Sequence, residues 1–236
     1  SSRDLVYKEA QFYMLSIAVL LLTFSMAVIY NPISGGAMKG YVTRALAIIP
    51  VLVYGLYMFI QYEDTQDGRK EKATEILVLK QWGLLIASLV LIVVGVEGLV
   101  RSAVELGNIF NTPSFLWGLT VVAAGTSLPD MLVSYKAAKK DEGVKSMANV
   151  LGSNVFDLLI AIPAGVLLAG ATAINYAVAV PMFGFLTLAT LVLFTTLRTD
   201  LELYKREAFL LLAVYGTFLI WMVSETVGLT NLIPVA

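Results

Sequence analysis

Seven stretches of this chain approach the ~20 consecutive apolar residues that an α-helix needs to cross a bilayer. They fall at 11–30, 43–61, 82–106, 114–136, 146–169, 176–197 and 206–226. In hydrocarbon each backbone N–H and C=O must find its partner within the segment, which makes these stretches helices. The links between them are short and polar: NPISGG at 31–36, EDTQDGRKEKATE at 63–75, GNIFNTP at 107–113, KKDEG at 139–143 and LRTDLELYKR at 197–206. None is long enough for a soluble domain. The fold class this implies is an all-α membrane protein.

Composition agrees. Hydrophobic residues make up 58% of the 236 and charged residues 14%, with a mean hydropathy of +0.83; about a quarter of an ordinary soluble domain is charged. The net charge of −1 hides a segregated distribution and says little about nucleic acid or acidic partners. Cysteine and histidine are absent, which removes disulfides and the soft or imidazole ligands of copper, zinc and haem sites. Oxygen ligands remain, and they suit hard cations.

If the seven spans alternate, Arg3, Lys8, Arg69, Lys70, Lys72, Lys80, Lys136, Lys139, Lys140, Lys145, Arg198, Lys205 and Arg206 fall on one side. Lys39, Arg44 and Arg101 fall on the other. The positive-inside rule makes the first side cytoplasmic, with the N-terminus inside and the C-terminus outside.

Two of the spans carry a carboxylate at bilayer depth, Asp130 and Asp157. An intramembrane acid is costly and marks an ion or substrate path by default; neither has a Lys or Arg within one turn on its own helix. Thr126 and Asp130 are four residues apart, and Asn149, Ser153 and Asp157 repeat that spacing with Asn154 beside them, so each set shares a helical face. Pro129 cannot donate to the Gly125 carbonyl and its ring crowds that oxygen. The chain is therefore expected to open or kink around Gly125–Leu128, freeing carbonyls from Ala123 onward, with Gly152 as the corresponding disturbance in the next span. Carboxylate, hydroxyl, amide and carbonyl oxygens together suit calcium, which takes six to eight oxygens, and sodium.

Single hydroxyls and amides in a bundle are more often inter-helix glue than ligands. Glu97 and Arg101, four apart, read as an ion pair, and Glu105 and Glu225 near span ends as solvated. The link at 63–74 imitates a calcium loop with Glu63, Thr65, Asp67 and Gly68, but Thr74 stands where a bidentate Glu is needed. No GxxxxGK[ST] occurs, so nothing supports ATP-driven transport.

GTSLPD at 125–130 followed by GSNVFD at 152–157 resembles the second alpha-repeat of the cation/calcium exchanger superfamily, which includes the sodium/calcium exchangers. The resemblance covers about 118–164 closely. It implies an inverted-repeat helical transporter of ten helices, two repeats of five, with seven of the ten in this chain. Residues 1–61 would be the last two helices of the first repeat, 62–80 a cytoplasmic linker, and 81–236 the second repeat with its ion-binding hairpin at 114–169. By matching position, Asp130 stands for the calcium-binding acid and Asp157 for a second carboxylate or amide. Thr126, Ser127, Ser153, Asn149 and the Ala123 carbonyl match sodium- or calcium-coordinating positions. Asp130 is shorter than the Glu of many microbial members, and Val-Lys-Ser-Met-Ala before Asn149 departs from the usual acid and Gly.

Residues 1–80 hold no second copy of either motif, so three further helices with the complementary acid are expected to precede Ser1 as the partner of this hairpin. The implied function is a multi-pass cell-membrane antiporter, not an enzyme, that exchanges calcium for sodium by alternating access. Calcium and sodium are then the transported ions, the bilayer is the surrounding partner, and no resident cofactor or nucleic acid is implied. A proton- or potassium-coupled calcium exchanger is the alternative within transport, and a channel-like or accessory subunit the alternative outside it.

Overall fold

The structure is a computed structural model and describes residues 2–34, 38–66, 78–112, 114–200 and 204–230. The chain forms α1 (Ser2–Tyr30), β1 (Lys39–Val42), α2 (Arg44–Gln66), α3 (Val78–Phe110), α4 (Ser114–Trp117), a π-helical turn Gly118–Val122, and α5 (Ala123–Lys139). It continues with α6 (Gly143–Phe156), a second π-helical turn Asp157–Ala161, α7 (Ile162–Ala169), β2 (Thr172–Asn175), α8 (Tyr176–Asp200) and α9 (Lys205–Thr226). The π turns join α4 to α5 and α6 to α7 without a break, so the described residues form seven helical rods where seven spans are expected.

Six of the rods are long and apolar enough to cross a membrane. The remaining one, residues 114–139, carries Thr120, Thr126, Ser127, Asp130, Ser134 and Lys136. The chain is an integral, multi-pass membrane protein. Several ends lie beyond the expected ones. α1 begins at Ser2 and not near residue 11, because Val6, Ala10 and Tyr13 continue its buried stripe past the polar pair Lys8–Glu9. α2 runs through Gln66 into the expected polar link. The rest of that link, 67–77, with Asp67, Gly68, Arg69, Lys70, Lys72 and Thr74, lies outside the described residues.

α1 is the centre of the packing. Val6, Ala10, Tyr13, Ile17 and Leu20 recur every three or four residues and bury against Tyr57 of α2, Leu151 and Val155 of α6, Leu158 and Leu159 of the second π turn, and Phe183 of α8. A smaller cluster of Ala27, Val42, Leu46, Ala47 and Val166 closes one end. Hydroxyls inside this core bond back to their own helix: Ser16 to the Phe12 carbonyl at 2.7 Å, Thr23 to Val19 at 2.8 Å and Thr190 to Leu186 at 2.7 Å. That satisfies Ser16 and Thr23 without a partner helix, while the Thr190 side chain of α8 also hydrogen-bonds Tyr13 of α1.

The expectation of an all-helical chain misses one element. β1 pairs antiparallel with β2, Lys39 opposite Asn175 through Val42 opposite Thr172, tying the link after α1 to the link after α7. An ideal Cβ on Gly40 would lie 2.5 Å from the Ala27 carbonyl oxygen and 2.7 Å from the Val28 Cα, so only glycine lets β1 lie this close to the α1 backbone. The Arg44 guanidinium donates to the Leu167 carbonyl at 3.1 Å, at the end of α7. Such pairing needs both links on the same side of the bilayer, as an alternating count of spans also requires.

Glu97 and Arg101 form the expected pair at 2.7 Å, and Glu105 is exposed. Glu225 is not solvated as expected. It is 8% exposed at the end of α9, and its carboxylate accepts the Thr230 hydroxyl at 2.6 Å because the chain folds back over the helix end.

Candidate functional site

The α5–α6 hairpin carries the site. α5 ends at Lys139, and the turn Lys140–Glu142 reverses the chain with Asp141 in the left-handed region (φ 59°). The Lys140 and Glu142 amides donate to the Ala137 carbonyl, which caps α5 and starts α6 antiparallel to it. Side chains spaced three and four apart on the facing surfaces then meet.

Between them lies a cavity of about 400 Å³. α5 contributes Ser127, Asp130, Met131, Ser134, Tyr135 and Ala138, and α6 contributes Ser146, Val150, Ser153 and Asn154, with Asp157 at the start of the second π turn. Five residues singled out from the sequence thus meet in one cavity: Ser127, Asp130, Ser153, Asn154 and Asp157. Three do not line it. Asn149 sits beside it and ties the arms together, its amide donating to the Ser134 hydroxyl at 2.9 Å and to the Asp130 carbonyl at 3.4 Å. Thr126 is exposed, and its hydroxyl returns to its own helix, to the Val122 carbonyl at 3.0 Å and the Ala123 carbonyl at 3.1 Å. The Ala123 carbonyl therefore already accepts one hydrogen bond.

Ser134, Ser146 and Tyr135 were not foreseen. The signal for the two serines was present: Ser134 is four residues after Asp130, and Ser146 is seven before Ser153, each on the same helical face as its neighbour.

The expected opening at Gly125–Leu128 is absent. α5 runs without a break from Ala123 through Pro129 to Lys139, so the loss of one ladder bond at Pro129 does not interrupt it. The irregularity lies one to two turns earlier, at Gly118–Val122, where the Ala123 amide reaches back five residues to the Gly118 carbonyl. Gly152 likewise sits in regular α6, and the second irregularity begins at Asp157, with the Ile162 amide donating to the Asp157 carbonyl. Pro163 follows directly. The π turn thus ends immediately before the helix segment that begins at Ile162–Pro163. Single π turns of this kind concentrate at functional sites.

Gly125 serves packing. A Cβ there would fall 2.4 Å from Cδ1 of Leu99, so glycine lets α3 lie against the arm that carries Asp130.

Asp130 and Asp157 face the same cavity and repel one another. No Lys or Arg lines it, and among the described residues neither aspartate forms an ion pair. No group of three or more acidic side chains gathers among the described residues, so the cavity offers two carboxylates with hydroxyl and amide oxygens around them. Two uncompensated acids in a polar cleft between apolar rods attract a cation, and their oxygen-only chemistry selects a hard one.

The model of the family "Sodium/calcium exchanger protein" matches residues 80–224, more than half of the chain. The human protein "Sodium/potassium/calcium exchanger 5" is 47% identical over 53 residues, 22% of this chain and 11% of that protein. "Sodium/calcium exchanger MaX1" of Methanosarcina acetivorans is 29% identical over 142 residues, 58% of this chain and 39% of its own length. "Inner membrane protein YrbG" of Escherichia coli is 38% identical over 77 residues, 33% and 24% respectively. The chain thus spans well under half the length of these curated relatives. No solved structure matches it. The apolar helical rods, the oxygen-lined cleft and the match across 80–224 lead to one assignment: the chain belongs to the sodium/calcium exchanger family of membrane transporters, which are not enzymes.

Proposed function

We propose that the α5–α6 cleft is the calcium-binding half of an antiporter that exchanges calcium for sodium by alternating access, with residues 81–236 forming its second repeat. The observation that carries this reading is the convergence of Asp130 and Asp157, without a neutralising Lys or Arg, on one cavity lined by Ser127, Ser153 and Asn154. Calcium is held by the two carboxylates and by the neutral oxygens around them. Sodium then occupies the hydroxyl and carbonyl oxygens after calcium leaves. Asp130 is the principal calcium ligand and Asp157 the second. Thr126 and the Ala123 carbonyl, next to each other on α5, act at the margin of the cleft as sodium ligands, and Asn149 holds the arms in register. The excess of Lys and Arg at 136–145 supports a cytoplasmic hairpin tip.

A second reading has its own support. The short, strong similarity to a protein named as a sodium/potassium/calcium exchanger makes potassium a candidate co-transported ion.

The test is calcium uptake into vesicles holding the intact protein, with outward sodium, potassium or proton gradients imposed separately. The sodium gradient is expected to drive uptake, and Asp130→Asn to reduce it more than Asp157→Asn at equal amounts of inserted protein. Uptake driven equally well by protons without sodium overturns the sodium reading. A demand for potassium together with sodium selects the second. Undiminished uptake in Asp130→Asn removes the site.

A further inference from the structure

A third carboxylate lies within the apolar rods, away from the cleft. Glu9 of α1 is 4% exposed and sits among Val6, Ala10 and Tyr13, on the stripe that packs against α6. Its partners are both on α2. The Tyr57 hydroxyl donates to its two carboxylate oxygens at 2.9 and 3.1 Å, and the Gln61 amide donates to one of them. Tyr57 is itself buried and belongs to the same apolar cluster as Leu151 and Val155.

The polar groups of this cluster come close to the ion-binding arm at Gly152. An ideal Cβ on Gly152 would lie 3.8 Å from the Tyr57 hydroxyl and 3.9 Å from Oε2 of Glu9, which is ordinary contact. Gly152 immediately precedes Ser153 and Asn154, both of which line the cleft. α6 therefore has a polar cleft on one face and a polar clamp at Gly152 behind it, with the apolar contacts of Leu151 and Val155 flanking the clamp. The apolar contacts hold α6 against α1 and α2 by close packing. Hydrogen bonds to a charged group are directional and strong, and this set joins α1 to α2 directly behind the arm.

We infer that Glu9 is a positioning residue for the ion site. It draws Tyr57 and Gln61 into one rigid surface against Gly152, which sets the rotation of α6 and so the direction in which Ser153, Asn154 and Asp157 face the cleft. This rests on the exchange reading above. Groups one layer behind an ion's ligands commonly change affinity by about 10- to 100-fold when altered.

The test compares wild type, Glu9→Gln, Tyr57→Phe and the double variant in the intact protein. Calcium uptake is measured against calcium concentration, calcium binding is measured on purified protein with calcium alone, and inserted protein is quantified. Glu9→Gln keeps size and polarity but removes the charge, and Tyr57→Phe removes one donor and leaves the carboxylate. Each is expected to raise the calcium KM and Kd by roughly tenfold at near-normal insertion, with the double variant no worse than the stronger single one because all act through one network. A merely structural role lowers the amount of inserted protein and leaves KM per molecule unchanged. That result overturns the inference, as does failure of both single variants to insert. A wild-type protein that neither binds nor moves calcium overturns the exchange reading and this inference with it. A calcium-active wild type with unchanged KM in both variants overturns this inference alone.

Discussion

Replacing Asn149 by Ala tests how the two arms of the cleft are held together. Its amide donates across from α6 to α5, to the buried Ser134 hydroxyl at 2.9 Å, with a longer contact to the Asp130 carbonyl at 3.4 Å. A neutral hydrogen bond of this kind contributes about 1 kcal/mol net, and inter-helix bonds in membrane bundles average about 0.6 kcal/mol in double-mutant cycles. The 3.4 Å contact is near the limit of a useful bond and adds little. Once Asn149 is gone, the Ser134 hydroxyl can rotate to a carbonyl of its own helix, so the penalty for an orphaned buried group stays at the low end of its range. The expected cost of Asn149→Ala is therefore about 1 kcal/mol, or about fivefold in an equilibrium constant. Because the bond anchors the turn that carries Asp130, the same factor should appear in calcium affinity. Thermal unfolding and calcium titration of the purified protein measure both, and Ser134→Ala with the double variant completes the cycle. A coupling energy of about 0.6 kcal/mol is expected. Strictly additive single variants, or an Asn149→Ala protein with unchanged stability and calcium affinity, refute the bond as the link between the arms.

Two further outcomes follow from the geometry. Gly40→Ala forces a methyl group against the Ala27 carbonyl and Val28 Cα, both backbone atoms. It should cost about 1–3 kcal/mol or more, seen as a lowered unfolding temperature, while Gly55→Ala, with nothing within 4 Å, should cost nothing; equal behaviour of the two contradicts the close approach of β1 to α1. In this cysteine-free chain, Lys140→Cys should be labelled from the cytoplasmic side and Asn108→Cys from the opposite side, and the reverse pattern inverts the proposed orientation.

The rods were legible because a membrane span must be long and apolar throughout, so hydropathy alone locates α1, α2, α3, α8 and α9. Their ends were less so. Lys8 and Glu9 dilute the apolar signal at the start of α1, yet Val6, Ala10 and Tyr13 continue its buried stripe, and only the packing reveals that Glu9 is inside. The β1–β2 pair left no trace in local pattern. Its strands have four residues each and stand about 130 apart, so their pairing is a long-range contact that no local pattern announces. Proline chemistry pointed to Gly125–Leu128 as the weak place, but the helix absorbed Pro129, and the wide turns formed at Gly118–Val122 and Asp157–Ala161. A local rule identifies the bond that is lost and not where the helix relaxes.

The site was read from spacing, and the same spacing explains why its back could not be. Along α6 and into the π turn, Val150, Ser153, Asn154 and Asp157 line the cleft, while Leu151, Val155, Leu158 and Leu159 enter the core. Both series recur at three and four residues, the two faces of one helix. The polar series identifies itself because hydroxyls, amides and an acid are unexpected at bilayer depth. The apolar series resembles any lipid-facing surface and does not say which helix covers it. In the fold, α1 covers it, and with α1 comes Glu9. The two faces of α6 are therefore not independent: a change to the core at Leu151 or Val155 rotates the same backbone that directs Ser153 and Asp157. Substitutions confined to the apolar face should for that reason alter calcium affinity without touching a ligand.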